Sequence, residues 1–372
     1  MRILFTGESL KGYLYPIMAV YEELKKLADD PESKLKSLEV LLISSESHFL
    51  REMLEGTDIP YKVIQAAKQR NSFSPLFFVD FFKFIIGFFQ TLIYVFDYMP
   101  DVIFSKGGKV SLSVIIVSWI FRIPIIIHES DAVASRSDKF MFRFAKKIAV
   151  SFKNSKEVYV SPKVFFSGNP IMSFITQGNK EKSLKNFALI NEKPVIFIMA
   201  GSRGAEAINN LVLEILPDLL KDYQIIHQCG IVNYDQVKSA VEKMNVSNLN
   251  NYHLFPFFKK RAADAYAVCD LVVSRAGANT VAEIMAVGKP SILIPLASAI
   301  SDKQKKNAFY YSESGAAILL GEKNLKPHLL LNIIRDIFKS HLKIIEMQRA
   351  AKQLAQPEAT RKIADEIIRV VK

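Results

Sequence analysis

The sequence has little cysteine: Cys229 and Cys269 are the only two among its 372 residues. They form no CxxC motif, and no cysteine and histidine spacing typical of zinc sites is present, so neither a disulfide framework nor a metal site is predicted. The six histidines also lack the spacing of metal ligands. The chain begins directly with a predicted strand, Arg2–Thr6, which predicts no secretory signal. These absences favour a reducing cytoplasm.

Acidic residues are fewer than basic ones, and the formal net charge is +12. Such a charge suits a solvated surface, an anionic membrane or a nucleic acid. The basic residues are scattered rather than interleaved with aromatics, and no helix-turn-helix, RRM or KH signature is present, so no nucleic-acid partner is predicted. A solvated surface is the simplest interpretation, and among specific partners we favour a membrane surface.

Short apolar runs alternate with helix-length stretches along the whole chain, and half of the residues are hydrophobic. The runs lack period-2 alternation, which is typical of parallel strands covered on both faces. Two series of these units predict an α/β fold with two Rossmann-like, doubly wound parallel-sheet domains facing each other across a cleft. The predicted strands are Arg2–Thr6, Leu38–Ile43, Asp101–Phe104, Pro124–Ile127, Ile148–Ser151, Val164–Ser167, Pro194–Ala200, Tyr223–Gln228, Asn251–Phe255, Asp270–Ser274 and Ser291–Pro295.

A polar stretch separates the two series and predicts the domain boundary. We expect a first domain at residues 1–176, a linker at 177–193, a second domain at 194–356 and a C-terminal helix at 357–372. In that last segment Ile363, Ile367 and Val370 recur at helical spacing, so one face of the helix is apolar. Such a helix could pack back onto the first domain.

The stretch from Phe73 to Met99 is far more apolar than the rest of the chain. A membrane-spanning helix needs roughly 20 apolar residues without charges. Asp80, Lys83 and Asp97 leave a clean run of only Phe84–Phe96, which is too short to span. We therefore predict a helix that is either buried in the core or lies in a membrane interface, with its phenylalanines at the edge of the bilayer.

The strongest candidate site lies where the predicted strand Asp270–Ser274 runs into a glycine turn and a helix. Gly277 lets the backbone approach a ligand, and the free N–H groups of the following helical turn suit a phosphate. Glu283, about two turns further along, could accept hydrogen bonds from a ribose diol. Alternatively, Gly277 only forms a tight turn and Glu283 is a solvated helix residue. The segment comprises Gly277, Ala278, Asn279, Thr280, Val281, Ala282 and Glu283.

A second glycine loop opens another helix after the first strand of the second series. There, Ser202 and the backbone near Gly204 could meet phosphate oxygens, Arg203 adds positive charge, and the helix carries Asn209. Ligands bind at the carboxyl edge of strands in open α/β sheets, so both loops are expected at one site. Gln304, in a later helix, offers a donor and an acceptor to sugar hydroxyls.

Three loops of the first half are candidates for a second substrate. The loop Gly7–Gly12 has Ser9 where a dinucleotide fingerprint has its middle glycine, which disfavours NAD. Loops containing Gly107 and Asp131 follow two other strands and would project into the cleft. The candidate residues for this second substrate are Lys11, Gly12, Gly107, Gly108 and Glu129.

Together these segments resemble the MurG family of glycosyltransferases over essentially the whole chain. The most family-like segments are PDVIFSKGG, IPIIIHESDAV, AVSF, SGNP, GSRGAEAIN, SRAGANTVAEIMAVGKPSILIPL and DKQKKNA. Several segments in the right order are more specific than any one glycine loop. The resemblance implies transfer of N-acetylglucosamine from UDP-N-acetylglucosamine (UDP-GlcNAc) to the lipid-linked muramyl-pentapeptide of peptidoglycan synthesis, which converts lipid I to lipid II.

The resemblance also implies a GT-B fold, an inverting displacement by a general base, and no metal or other cofactor. It places Ser202 on the donor phosphates, the turn from Ala278 to Glu283 on the phosphates and ribose, and Gln304 on the donor sugar. A polyprenyl-diphosphate-linked acceptor and peripheral binding to the inner face of the cytoplasmic membrane follow from the same resemblance.

The first glycine loop departs from the family, which has GGTGGH there. Tyr13 stands at the position of the family's histidine, the usual candidate base, and a tyrosine with an ordinary pKa of about 10 is a poor base at neutral pH. Glu8 and Lys11 occupy positions where the family keeps glycines. Asp131 replaces the asparagine of the HEQNA-type loop and could serve as the base. Alternatives are therefore a divergent paralogue with another lipid or glycan acceptor, a catalytically silent UDP-sugar-binding protein, and, less favoured, an epimerase.

Overall fold

The structure, a computed structural model, describes residues 1–33, 35–66, 77–153, 161–297 and 302–371. The chain divides into two compact units, Met1–Met172 with Pro357–Lys372, and Ser173–Gln356. This division precedes the predicted linker, and residues 177–193 contribute a helix to the second unit. The start of the aromatic stretch, residues 73–76, lies outside the described residues.

The first unit contains a seven-stranded parallel sheet in the order β3-β2-β1-β4-β5-β6-β7. The strand order reverses between β1 and β4, which is the point where doubly wound sheets open a crevice at their carboxyl edge. The strands are β1 (Arg2–Thr6), β2 (Glu39–Ser44), β3 (Tyr61–Val63), β4 (Val102–Ser105), β5 (Ile125–Glu129), β6 (Lys147–Val150) and β7 (Val164–Phe166). The helices between them are α1 (Lys11–Asp29), α2 (His48–Leu54), α3 (Phe77–Tyr98), α4 (Lys109–Ile120) and α5 (Arg136–Met141).

The second unit contains a six-stranded parallel sheet in the order β10-β9-β8-β11-β12-β13. Its strands are β8 (Val195–Met199), β9 (Gln224–Gln228), β10 (Tyr252–Phe255), β11 (Leu271–Ser274), β12 (Ser291–Leu293) and β13 (Ala317–Leu319). Its helices are α6 (Lys180–Asn186), α7 (Glu206–Asp222), α8 (Tyr234–Glu242), α9 (Ala262–Val268), α10 (Ala278–Val287), α11 (Asp302–Glu313), α12 (Pro327–Phe338) and α13 (His341–Leu354).

The predicted α/β class and every predicted strand are confirmed, with strand ends shifted by no more than two residues. The sequence-based prediction missed β3 and β13, which are three residues long and lie at the edges of their sheets. β3 is mostly exposed and lacks the apolar run that marks a central strand, whereas the apolar run of β13 is too short to separate a strand from a helix segment.

The chain returns to the first unit through the final helix, α14 (Ala359–Val371), which packs against α1. The apolar face buries Ile363, Ile367 and Val370. Polar contacts surround this face: the Arg361 guanidinium lies 3.6 Å from the Glu23 carboxylate. The C-terminal segment therefore forms part of the first unit.

Helix α3 has one face in the core and one in solvent. Thr91 and Val95 are fully buried, and a Cβ on Gly87 would lie 2.0 Å from the carbonyl oxygen of Gln65, so this helix face packs directly on backbone. The helix is longer than the predicted clean run, and by length and composition its residues Val79–Tyr98 are sufficient to cross a membrane. The opposite face exposes a continuous apolar stripe, half or more exposed at each position: Phe81, Phe82, Ile86, Phe89, Ile93 and Phe96.

Candidate functional site

The two glycine loops of the second unit lie side by side at the carboxyl edge of its sheet. Strands β8 and β11 are neighbours, and their last residues, Met199 and Ser274, pair in register. The chain therefore leaves both strands at the same height and enters α7 and α10 next to each other. The predicted convergence of these loops is confirmed.

The loop after β8 is fixed in place by a contact between glycines. Gly204 has φ +102°, and a Cβ there would lie 1.8 Å from Asn233 Oδ1 and 2.7 Å from the carbonyl oxygen of Cys229. A Cβ on Gly230 would lie 2.1 Å from the Gly204 nitrogen. By contrast, Gly201 has φ +82° with open space around its Cα. The loop is therefore tightly packed on one side and open to a ligand on the other.

Ser202 and Arg203 sit in this loop with different exposure. The carbonyl oxygen of Ser202 accepts a hydrogen bond of 3.0 Å from the Ile231 backbone, and its side chain is partly exposed. Arg203 is exposed. Both residues remain where an anionic ligand at the sheet edge could meet them.

Asn209 has a different environment from the one predicted for a donor-binding residue. It is 1% exposed, its Nδ2 donates to the Cys229 carbonyl oxygen at 2.9 Å, and its Oδ1 lies 3.1 Å from His227 Nε2. Both polar atoms of the amide are thus used within the fold. Asn209 holds the loop after β9 in place and so supports Gly204 from behind, and its contact with the donor stays a prediction. In the sequence, the spacing of three residues between Asn209 and the buried Val212 indicated that both lie on the same, buried face of the helix.

Helix α10 begins directly after Gly277, as predicted, and its N-cap residue is therefore a glycine, which has no side chain to cap the first turn. Free N–H groups and the positive end of the helix dipole make such a terminus suitable for phosphate. Ala278 and Val281 are buried, and therefore only their backbone faces this end of the helix, whereas Asn279, Thr280 and Ala282 are partly exposed.

Glu283 is buried, with 3% of its surface exposed, so it is not a solvated helix residue. Its Oε2 accepts a hydrogen bond of 3.0 Å from the hydroxyl of Tyr266. A buried carboxylate needs such partners to offset its desolvation. Tyr266 was not among the predicted site residues, because α9 carries no motif.

Two side chains fix the loop that follows β12. Gln304 Oε1 accepts a hydrogen bond of 3.0 Å from the Leu296 backbone, and Glu322 accepts one from the backbone of Ala297. Glu322 also forms an ion pair with Arg275, which follows β11 directly. Gln304 lies in the first turn of α11, in a helix as predicted. The roles of Arg275 and Glu322 were not predicted, because their pairing joins segments 47 residues apart.

In the first unit, His128 at the end of β5 belongs to a buried polar cluster. Lys106 Nζ lies 2.8 Å from its Nδ1, and its Nε2 lies 3.1 Å from the Gly168 carbonyl oxygen and 3.1 Å from Ser151 Oγ. Burial, and then the Lys106 charge, lower the pKa of His128 well below its usual range. The ring is therefore neutral at physiological pH, and the carbonyl partner requires the hydrogen on Nε2.

The loops carrying the predicted acceptor residues also have defined contacts. Gly107 and Gly108 have φ +80° and +87°, and Glu8 Oε1 accepts a hydrogen bond of 2.9 Å from the Lys109 backbone at the start of α4. Glu129 is buried, and its Oε1 accepts a hydrogen bond of 2.9 Å from the backbone of Asp131. Glu129 thereby fixes the backbone of the Asp131 turn.

Lys11, Gly12 and Tyr13 lie in the first turn of α1, because the helix starts at Lys11, inside the predicted loop Gly7–Gly12. The Lys11 ammonium lies 4.8 Å from the centre of the Tyr15 ring, and Tyr13 is partly buried. In the described parts of the chain, no group of three or more His, Cys, Asp or Glu could hold a metal ion.

Two parallel-sheet α/β units with glycine loops at the carboxyl edge match the GT-B fold. Residues 11–150 match the glycosyltransferase family 28 N-terminal domain, and residues 195–367 match the glycosyltransferase family 28 C-terminal domain. Within this class the chain belongs to the MurG family, the UDP-N-acetylglucosamine–N-acetylmuramyl-(pentapeptide) pyrophosphoryl-undecaprenol N-acetylglucosamine transferases.

Full-length relatives support this assignment. The transferase of that name from Legionella pneumophila (strain Paris) is 32% identical over all of this chain and 96% of its own length. The one from Listeria monocytogenes serotype 4b (strain CLIP80459) is 31% identical over the full length of both. The crystal structure of Acinetobacter baumannii MurG superposes with a TM-score of 0.74, covers 99% of each chain and is 23% identical, and thus supports the fold.

Proposed function

We propose that the chain is an inverting hexosyltransferase that moves N-acetylglucosamine from UDP-GlcNAc to a lipid-linked muramyl-pentapeptide and so converts lipid I to lipid II. The full-length similarity to transferases named for this reaction supports the proposal. The single structural observation that carries it is the buried Glu283 carboxylate, held by Tyr266 on the helix that begins at the Gly277 turn.

The donor half supplies the groups that a nucleoside diphosphate sugar requires. The N-terminus of α10 and the open side of Gly201 would bind the diphosphate, with Ser202 as an additional donor. Glu283 would accept hydrogen bonds from the ribose hydroxyls, and the NH₂ of Gln304 would meet the sugar. As the bond to the sugar breaks, negative charge grows on the departing UDP, and the helix dipole would stabilise it.

The reaction needs a base for the acceptor hydroxyl, and Asp131 is our candidate. Its backbone is fixed by Glu129, and it lies just beyond the carboxyl end of β5. His128 is unsuited, because its Nδ1 already accepts from Lys106 and its Nε2 carries the hydrogen. Tyr13 is the alternative base, weakened by the high pKa of an ordinary phenol.

The acceptor would be a polyprenyl-diphosphate glycolipid bound near Lys11, Gly12, Gly107 and Gly108. The apolar stripe on α3 would place the first unit at the inner face of the cytoplasmic membrane, where such a lipid resides. Basic residues of this positively charged chain would add attraction to anionic lipids. The chain would then be cytoplasmic and peripherally bound.

Two measurements test this function. Calorimetric titration of the full chain with UDP-GlcNAc should give binding that Glu283→Ala weakens by at least about tenfold, since a charged hydrogen-bond partner is lost. A radiolabelled transfer assay should then yield product with a lipid I acceptor. Binding without transfer to lipid I, but with transfer to another glycolipid, would favour the divergent paralogue. Binding without any transfer would favour a silent UDP-sugar-binding protein.

A further inference from the structure

Tyr266 lies directly behind Glu283 in the fold. It is fully buried on α9, and its ring packs edge-on against Phe197 of β8 with 5.4 Å between the ring centres. Its hydroxyl donates to Glu283 Oε2 at 3.0 Å. Because the ring is enclosed by the sheet, the position of the hydroxyl is fixed by the core rather than by solvent.

The hydroxyl has one hydrogen and two nearby acceptors. Met199 Sδ lies 3.3 Å away, slightly farther than the Glu283 oxygen. A carboxylate is a much stronger acceptor than a thioether, so the hydrogen points to Glu283. Burial, followed by the Glu283 charge, raises the pKa of Tyr266 well above its usual range, and the hydroxyl therefore remains a donor.

The bond limits how the Glu283 carboxylate can turn. A glutamate side chain has three rotatable torsions, and each carboxylate oxygen has two lone pairs. Tyr266 uses one lone pair of Oε2, which leaves acceptor capacity on both oxygens for two neighbouring hydroxyls. We propose that Tyr266 is a positioning residue that orients Glu283 toward the ribose diol of a uridine diphosphate, an inference that rests on the proposed donor role of Glu283.

Calorimetric titration of the full chain with UDP and with 2′-deoxy-UDP tests this role. Tyr266→Phe should weaken UDP binding about fivefold to tenfold, the scale of one hydrogen bond to a charged group. The loss for 2′-deoxy-UDP should be smaller, about twofold, because one hydroxyl that depends on the carboxylate orientation is absent. Tyr223→Phe is the matched control, since Tyr223 is buried before the amino end of β9 and packs on Phe338. It should leave both affinities unchanged.

Two further measurements test the same role, and the first of them does not require Tyr266→Phe to fold. In wild-type protein with fluorotyrosine at position 266, the fluorine resonance should shift when UDP binds, and it should not shift in Glu283→Gln. A double-mutant cycle should show that Tyr266→Phe has almost no additional effect on UDP affinity once Glu283→Gln is present.

The outcomes distinguish failure of the positioning role of Tyr266 from failure of the proposed donor site. If wild-type protein does not bind UDP, the proposed donor site is wrong. If Glu283→Gln weakens UDP binding but Tyr266→Phe does not, the positioning role is overturned. It is also overturned if Tyr266→Phe weakens both ligands equally, or if its effect persists beside Glu283→Gln, because the tyrosine would then act on the fold alone.

Discussion

The ammonium nitrogen of Lys106 lies 2.8 Å from Nδ1 of His128, and both side chains are buried at the carboxyl edge of the first sheet. A second histidine, His227, is buried in the other unit between Tyr252 and Asn209. Burial lowers the pKa of His227 to about 3. Both rings are therefore neutral in the folded protein, and neither supplies a proton or a positive charge to a substrate at neutral pH.

This neutrality predicts a loss of stability in mild acid. Below the unfolded pKa of about 6.5, the unfolded chain takes up protons that the folded protein does not, so the free energy of unfolding falls as the pH falls. Between pH 7 and pH 5, His227 alone should contribute a loss of about 2 kcal/mol. Urea unfolding at the two pH values measures it. His227→Gln should reduce the loss by about that amount. Exposed His341→Gln is the control, and an equal reduction there would contradict the assignment.

The two glycines of the loop after β8 should differ in their tolerance of a side chain. Gly204→Ala should cost roughly 2–4 kcal/mol, because the new Cβ meets Asn233 and the Cys229 backbone at a strained positive φ. Gly201→Ala has positive φ but open space, and should cost about 1 kcal/mol. Thermal unfolding of both variants measures the difference, and equal losses would show that the glycine contact does not fix the loop.

Local patterns predicted most of the fold and the two donor loops. Central strands and the glycines between a strand and a helix, such as Gly277, are marked by a few consecutive residues. They can therefore be recognised without knowledge of tertiary contacts. The contact of Tyr266 with Glu283 depends on how α9 packs beside α10, and no local pattern reports that packing. The same holds for Arg275 and Glu322, which form a pair only after the sheet of the second unit has assembled.

For Asn209, two features of the sequence pointed to different environments. Its place after the second glycine loop suggested a role at the donor site, while its spacing from Val212 and Leu216 placed it on the buried face of α7. Burial decided the outcome, because a buried amide must satisfy its hydrogen bonds inside the fold. The start of α1 at Lys11 was missed for a related reason: Gly12 and Pro16 both weaken a helix in isolation, and packing of the apolar face overrides them.

The stripe on α3 predicts binding to anionic liposomes. Phe89 and Phe96 are well exposed, whereas Phe88 packs on the core. Substitutions at Phe89 and Phe96 therefore test the exposed stripe without disturbing the core. Phe89→Asp with Phe96→Asp should lower the partition coefficient in a flotation assay at least about tenfold, since each phenylalanine contributes roughly 1.5–3 kcal/mol when buried in lipid. A control with the same added charge, Leu342→Asp with Ile190→Asp on the second unit, should float like the wild type. If both double variants float equally, α3 is not the membrane contact.

The base assignment makes the sharpest prediction about catalysis. Asp131→Asn keeps the shape of the side chain and removes the group that would take the acceptor proton, so kcat should fall by about 10²- to 10⁴-fold. KM for UDP-GlcNAc should stay within about threefold, because Asp131 is in the other unit from the donor loops. Tyr13→Phe is the paired variant, and it should change kcat by less than about threefold, since a phenol with a pKa near 10 contributes little as a base. The opposite pattern would assign the base to Tyr13. Full turnover in both variants would exclude both residues as the base and leave Asp131 with only a structural place in the turn whose backbone Glu129 fixes.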